Sequence, residues 1–191
     1  TFANKGVYTK PVMVMRIEDK NGTVLFQFTP ETKDVLSEEV AYVTTNLLEG
    51  VTQGGSSGGR LRTTGAVSPV YKEVMTGYPY ALTNPIAGKT GTTQNQSDGW
   101  FMGMVPNLVT GVWVGGEERA THFKTLAYGQ GATMALPIWG LFMKKCYADK
   151  DLDVSTAEFE RPAVLTINVD CNKKSEDDPF DTDDFDIQFD F

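Results

Sequence analysis

Two hydrophobic periods organise the first third of the 191-residue chain. Between residues 11 and 28, residues alternate as in β-strands, and the turn-forming run Asp19-Lys20-Asn21-Gly22 divides this segment in two. This pattern predicts a β-hairpin. From Ser37 to Val51, apolar residues recur three and four positions apart, which predicts a helix that ends at the glycine-rich residues 53–59.

Three apolar runs in the second half of the chain predict the strands of a main sheet, namely residues 86–92, 100–105 and 108–114. Pro106-Asn107 separates the last two runs, as a tight hairpin turn would. Because the runs are apolar on both faces, we expect both faces of the sheet to be covered. A final helix is predicted to begin near Pro137 and to lie across the sheet.

Charge separates a body from a tail. Residues 1–150 carry 12 acidic and 14 basic side chains, whereas residues 151–191 carry 13 and 3. We therefore expect one domain over residues 1–150 and an acidic, largely irregular extension over residues 151–191, with one candidate short strand at residues 162–169. The tail could be an interaction segment or simply a solvated end. Neither part has the basic surface that nucleic-acid binding requires, so we expect no nucleic-acid partner.

The chain is expected to be a piece of a longer protein. It starts at Thr1 without an initiator methionine or a signal-peptide pattern. No run approaches the roughly 20 consecutive apolar residues that a membrane helix needs.

Two cysteines, Cys146 and Cys171, and one histidine, His122, are the candidates for metal or redox chemistry. Their spacing does not fit a zinc site, so we expect no metal. We also expect no cofactor. In an oxidising compartment the cysteines could form a disulfide that ties the tail to the body, and two unrelated buried thiols fit the spacing equally well. His122 lies in a predicted loop, where we expect a structural or solvated role.

The run Gly88-Lys89-Thr90-Gly91-Thr92 invites comparison with a nucleotide-binding P-loop. A P-loop would require glycine at position 83, where this chain has Thr83. Pro85 also removes a backbone N–H that should point at a phosphate. A phosphate-binding role is therefore not favoured.

The same run fits a strand at the edge of an active-site cleft. Strand alternation would direct Lys89 and Gly91 to one side and the two threonines to the other. Lys89 would favour anionic groups, and Gly91 would let a substrate lie against the backbone. The hydroxyls of Thr90 and Thr92 could donate to a carboxylate. An ordinary exposed strand edge is the alternative, since so short a motif also occurs by chance.

The sequence on both sides of this motif extends the pattern. Segments that match in order and spacing are residues 2–8, 84–93, 98–103, 106–115 and 135–139. Together they resemble the penicillin-binding transpeptidase domain of class A penicillin-binding proteins, over about residues 1–148.

The resemblance implies an α+β fold: the C-terminal half of the serine β-lactamase/transpeptidase-like fold, with three of the five strands of its antiparallel sheet and packed helices. The other two strands come from sequence upstream of the family's serine motif. The strand over residues 108–114 should then have one unpaired edge, which self-association or the tail could cover.

The resemblance also implies a function. Proteins of this family cross-link peptidoglycan: a serine attacks the D-Ala-D-Ala bond of a stem peptide, and the acyl group passes to an amine on a neighbouring strand. β-Lactams inhibit the family by acylating that serine. The implied location is the periplasmic, extracytoplasmic face of the bacterial inner membrane, with an anchor in an N-terminal segment that this chain lacks.

Carried over to this sequence, the resemblance assigns the catalytic strand to Lys89-Thr90-Gly91-Thr92. Lys89 would charge the cleft, Thr90 and Thr92 would hold the substrate carboxylate, and the Thr92 N–H would be one oxyanion-hole donor. Thr93 and Trp100 are further candidates for the substrate-binding surface, although a buried strand aromatic is the simpler interpretation of Trp100.

Two of the three family motifs, Ser-x-x-Lys and Ser-x-Asn, are missing from the chain. We therefore expect the nucleophile to lie outside it and the isolated chain to be inactive. Two alternatives remain open: a serine β-lactamase-like hydrolase, which shares the Lys-Thr-Gly strand, and a catalytically silent binding module with the same fold.

Overall fold

The computed structural model describes residues 1–53, 56–62 and 68–169. Within these ranges the chain forms β1 (Val7–Thr9), β2 (Arg16–Glu18), β3 (Val24–Gln27), β4 (Thr32–Asp34), α1 (Glu38–Thr52), α2 (Pro69–Val74), β5 (Ala87–Thr92), β6 (Asp98–Val105), β7 (Leu108–Gly115), α3 (Leu126–Gly129) and α4 (Gly131–Ala148). The strands pair antiparallel as β1-β4, β2-β3 and β5-β6-β7. The α+β class is confirmed.

The predicted hairpin is formed by β2 and β3, with Ile17 opposite Phe26. Its turn is held by Asp19, whose Oδ1 accepts hydrogen bonds from the N–H groups of Asn21 and Thr23 at 2.8 and 2.9 Å. Both bonds stabilise the carboxylate and lower the pKa of Asp19, and the bond from the Thr23 N–H has the larger effect. The hairpin is therefore fixed by its turn as well as by its strands.

Helix α1 begins where the sequence predicts, because Ser37 caps it. The Ser37 Oγ accepts from the Val40 N–H at 3.2 Å, which satisfies one of the free donors of the first turn. The buried side of α1 consists of small residues, including Ala41 and Thr45, whereas the apolar Leu47 is 69% exposed. Helical spacing thus predicted the helix but did not identify its buried side.

The sheet β5-β6-β7 is the centre of the fold and confirms the three predicted strands. Within β6, alternate residues are buried, and Pro106-Asn107 forms the turn to β7. Among the described residues, no strand pairs with the outer edge of β7. The expected unpaired edge is therefore present.

Helix α4 covers one face of this sheet. Trp139 packs edge-on against Phe101, with ring centroids 5.1 Å apart, and both side chains are fully buried. Burial of each contributes about 2–3 kcal/mol. On the opposite face, Trp100, Met102 and Trp113 are each more than 40% exposed. The expectation of a sheet covered on both faces is therefore wrong for this chain, because α4 packs against the first face only.

Helix α4 also begins earlier than predicted, at Gly131, so that Pro137 lies inside it. The Gly131 N–H donates to Thr92 Oγ1 at 2.9 Å, which satisfies a donor of the first turn. A Cβ atom on residue 131 would overlap the carbonyl oxygens of Gly91 and Trp100. The start of α4 is thus set by a close approach to the sheet that only glycine permits.

The described part of the acidic extension contains neither a strand nor an α-helix, and it lies against the body. Asn107 Nδ2 donates to Asp153 O at 2.7 Å, and Asn107 Oδ1 accepts from the Ser155 N–H at 2.8 Å. Further along, Glu39 Oε1 accepts from Thr166 Oγ1 at 2.7 Å. The candidate strand at residues 162–169 is wrong, since these residues form no strand. They bond to a helix side chain instead of to a neighbouring strand.

Only one of the two cysteines of the predicted disulfide belongs to the described residues. Cys146 is buried in α4, whereas Cys171 lies outside the described residues. The disulfide and the domain boundary at residue 150 therefore stay predictions.

Candidate active site

Strand β5 carries the Lys-Thr-Gly-Thr motif along one border of the main sheet. Within the described residues it pairs with β6 alone, so that no strand covers its other edge. In the register of β5 and β6, Lys89 lies opposite Met102 and Gly91 opposite Trp100. Alternation then gives one face to Lys89 and Gly91 and the other face to the two threonines, as predicted.

Lys89 places a positive charge on this border. Its side chain is exposed, and Nζ donates to the carbonyl oxygen of Thr90 at 2.7 Å. A lysine ammonium has three donors, so two of them remain for an anionic group. The geometry suits electrostatic stabilisation of a substrate or of a deprotonated nucleophile.

The two threonine hydroxyls of the motif are held by different parts of the fold. Thr90 Oγ1 lies 3.3 Å from Ser57 Oγ, in the segment that follows α1. Thr92 Oγ1 accepts from the N–H of Gly131, the first residue of α4. Because Thr92 acts as acceptor there, its own proton remains available to a ligand. Both hydroxyls are therefore oriented by contacts distant in sequence.

Thr93 shapes the turn after β5. Its Oγ1 lies 2.9 Å from Ser97 Oγ and accepts from the Asp98 N–H at 3.1 Å. Its N–H donates to Asp98 O at 3.1 Å, which closes the short turn over Gln94–Gln96. The hydroxyl of Thr93 thus holds the start of β6, and its predicted contact with substrate stays a proposal.

Trp100 lies beside the motif and is accessible. It is 45% exposed, and a Cβ atom added to Gly91 would lie 3.4 Å from its Cβ. The interpretation as a buried strand aromatic is therefore wrong, because α4 does not reach this face of the sheet. An indole at this place can line a cleft next to Lys89.

His122 has no part in this arrangement. It is exposed in the loop between β7 and α3, and its Nδ1 lies 3.1 Å from the carbonyl oxygen of Phe123. This placement agrees with the structural or solvated role expected from the sequence.

Arg62, which the sequence did not single out, anchors the start of the motif strand. It is 7% exposed, and its Nε and Nη2 donate to Thr52 O and Thr52 Oγ1, both at 2.9 Å. Its Nη1 donates to Leu82 O at 3.2 Å and to Asn84 O. Burial lowers the pKa of the guanidinium.

Thr52 completes this anchor. Its hydroxyl donates to the carbonyl oxygen of Ile86, the residue directly before β5. Arg62 and Thr52 therefore tie the end of α1 to the start of the motif strand. No short motif marks this pair, because its contacts join segments up to 34 positions apart.

Comparison with protein families gives a match that includes this strand. Residues 1–130 match the family described as the penicillin binding protein transpeptidase domain. The chain is 33% identical over 171 residues to penicillin-binding protein 1A of Aquifex aeolicus, across 88% of this chain and 20% of that protein. It is 32% identical over 145 residues to penicillin-binding protein 2D of Bacillus subtilis, across 75% of this chain and 18% of that protein. The chain thus spans about a fifth of the length of these relatives.

Solved structures show the same fold. The PonA1 protein of Mycobacterium tuberculosis, solved in complex with penicillin V, is 25% identical with a TM-score of 0.60, across 86% of this chain and 39% of that one. Penicillin-binding protein 1A of Haemophilus influenzae is 24% identical with a TM-score of 0.58, across 85% of this chain and 26% of that one.

Among the described residues, none of the helices is both long and apolar enough to span a membrane.

Proposed function

Because the chain belongs to the penicillin-binding protein transpeptidase family, we propose that it supplies one wall of the active site of a peptidoglycan D,D-transpeptidase. The observation that supports the proposal is the unpaired edge of β5, where Lys89 is exposed and the hydroxyls of Thr90 and Thr92 are held by other parts of the fold. The family match does not favour a β-lactamase or a silent binding module.

In the proposed reaction, a serine supplied by sequence outside this chain attacks the penultimate D-Ala carbonyl of a stem peptide. The peptide bond breaks, the terminal D-alanine leaves with a proton on its nitrogen, and an acyl-serine forms. An amine of a neighbouring stem peptide then attacks the ester and releases the serine. No cofactor is required, because each step is an acyl transfer.

The residues of β5 would stabilise the negative charges of the nucleophile, the substrate carboxylate and the oxyanion in this reaction. Lys89 would stabilise the deprotonated nucleophile, and the hydroxyls of Thr90 and Thr92 would donate to the terminal carboxylate. The Thr92 N–H would be one of two oxyanion-hole donors, and the loss of such a donor costs about 10²–10³ in rate. Trp100 and Thr93 would border the peptide.

The open surfaces of this chain fit a place inside a larger domain. We propose that upstream strands cover the outer edge of β7 and that further helices cover the face with Trp100, Met102 and Trp113. In the isolated chain the same edge would favour self-association. The described part of the tail lies against Asn107 and α1, which makes it a weaker candidate for that cover.

The proposed location is the extracytoplasmic face of the bacterial inner membrane, where peptidoglycan is assembled. The anchor would lie in sequence outside this chain. β-Lactams would bind through the complete domain, whereas the chain alone, without Ser-x-x-Lys and Ser-x-Asn, would not be acylated.

Fluorescent penicillin tests the proposal. In the complete protein, Lys89→Met should lower the acylation rate about 100-fold or more. Lys72→Met, which removes an exposed lysine from α2, is the matched control and should acylate at the wild-type rate. Acylation of the complete protein that is insensitive to Lys89→Met would contradict the assignment of the site to β5.

A further inference from the structure

We propose that Ser57 is a positioning residue for this reaction, which orients the Thr90 hydroxyl toward the carboxylate of the substrate. The inference rests on the proposed function and extends it to a residue outside the Lys-Thr-Gly strand. The main evidence is the contact between Ser57 Oγ and Thr90 Oγ1, which lie 3.3 Å apart and belong to half-buried residues.

The segment that contains Ser57 is held firmly beside β5. Ser57 directly precedes a 3₁₀ turn over Gly58–Leu61, and Leu61 is fully buried. A Cβ atom on Gly58 would overlap the carbonyl oxygen of Val51, so the segment lies directly against the end of α1. Arg62, the residue directly after this 3₁₀ turn, is the buried anchor of the motif strand. A side chain on so well-packed a segment can orient its neighbour reproducibly.

The hydrogen-bond capacity of the two hydroxyls fixes the direction of the chain of bonds. Each hydroxyl has one proton, so Thr90 can donate to a carboxylate only if it accepts, rather than donates, in its contact with Ser57. The resulting order is Ser57 O–H to Thr90 Oγ1, and Thr90 O–H to the carboxylate. Successive hydrogen bonds of this kind polarise and strengthen one another.

Without Ser57, the Thr90 hydroxyl would lose this orientation. A threonine hydroxyl readily turns to nearby backbone carbonyl oxygens or to water. The loss should therefore affect substrates that present a carboxylate to Thr90, and it should leave other substrates unaffected. This selectivity separates positioning from a general role of Ser57 in folding.

The experiment compares two acylating agents on the complete protein. Penicillin carries the free carboxylate that Thr90 would bind. The reference is a thioester of an acylated D-alanine whose leaving group has no carboxylate. We expect Ser57→Ala to lower the second-order rate constant for penicillin about fivefold while the rate with the thioester is unchanged. Ser57→Thr, which keeps the hydroxyl, should restore the penicillin rate.

Ser56→Ala is the matched control. Its hydroxyl bonds to the carbonyl oxygen of Val51 instead of to the motif strand, so the ratio of the two rate constants should not change. Thr90→Val combined with Ser57→Ala should be no slower with penicillin than Thr90→Val alone, because Ser57 acts through Thr90.

Each result has a distinct meaning. An equal loss with both agents, or no loss with penicillin, overturns the positioning role. If the wild-type protein is acylated by neither agent, the proposed function fails and the positioning role fails with it. If the wild type is acylated and only the Ser57 effect is absent, the positioning role alone is wrong.

Discussion

Replacement of Arg62 by methionine tests how the motif strand is held in place. The guanidinium donates four hydrogen bonds, two of them to Thr52 and one each to Leu82 O and Asn84 O. Methionine would fill much of the volume but leave the carbonyl groups of Thr52, Leu82 and Asn84 without this donor. The change therefore removes the tie between α1 and the approach to β5 without removing the apolar contacts of the side chain.

The expected cost follows from these four bonds. A hydrogen bond from a charged group contributes about 1.5–3 kcal/mol, so the gross loss is of order 10 kcal/mol. Removal of the buried charge also relieves a desolvation penalty of several kcal/mol. The net destabilisation of Arg62→Met is therefore about 3–5 kcal/mol, a large part of the roughly 5–15 kcal/mol that keeps a domain folded.

Urea unfolding followed by tryptophan fluorescence measures this loss, with a constant slope as the check for two-state behaviour. Arg60→Met is the matched control. Arg60 stacks on Tyr71 with its guanidinium carbon 4.0 Å from the ring centre, and its Nη1 has no hydrogen-bond partner among the described residues. This variant should lose only about 1 kcal/mol. Equal losses for the two variants would refute the role assigned to Arg62.

Three other changes give predictions of different kinds. Gly103→Ala should destabilise the chain by about 1–3 kcal/mol, because the new Cβ would overlap the Trp139 ring, and a smaller loss in urea unfolding would contradict this packing. Beyond its own helix backbone and chain neighbours, the new Cβ of Gly50→Ala would meet no atom of the described residues within 4 Å, so this change should instead stabilise α1 by about 0.5–1 kcal/mol, measured in the same way. Burial of the Glu49 carboxyl is the larger cause, and the nearby carboxylate of Glu158 the smaller one, that raises the pKa of Glu49 above 4.5. Between 4.5 and the raised pKa, the unfolded chain has lost this proton while the folded chain keeps it, so the folded chain loses stability as the pH rises through the raised value. Glu49→Gln should therefore raise the melting temperature at neutral pH and leave it unchanged well below pH 4.5, whereas a lower melting temperature at neutral pH would contradict the sign.

Five strands, β2, β3, β5, β6 and β7, and helix α1 could be predicted from sequence because their signals are local, whereas the short strands β1 and β4 and helix α3 were not predicted. Alternation and the Pro106-Asn107 turn are sufficient to place β6 and β7. The start of α4 could not be found in this way, since it depends on the contact of Gly131 with the sheet. Pro137 gave a misleading local signal, because a helix that is already formed and packed can include a proline.

The motif strand was predictable, but the residues that hold it were not. Lys89 and the two threonines belong to a recognisable run, whereas Ser57 becomes relevant only because its segment lies next to β5, 33 positions from Thr90. The exposure of Trp100 was missed for a different reason. An apolar pattern on both strand faces predicts that both faces are covered, but it does not say that the covering elements belong to the same chain.

The position of the acyl adduct shows directly whether the nucleophilic serine lies outside this chain. The complete protein would be labelled with penicillin and digested, and the modified peptide would be identified by mass spectrometry. We expect the adduct on a serine outside the present 191 residues. An adduct on a serine of this chain, such as Ser56 or Ser57 beside the motif strand, would contradict it.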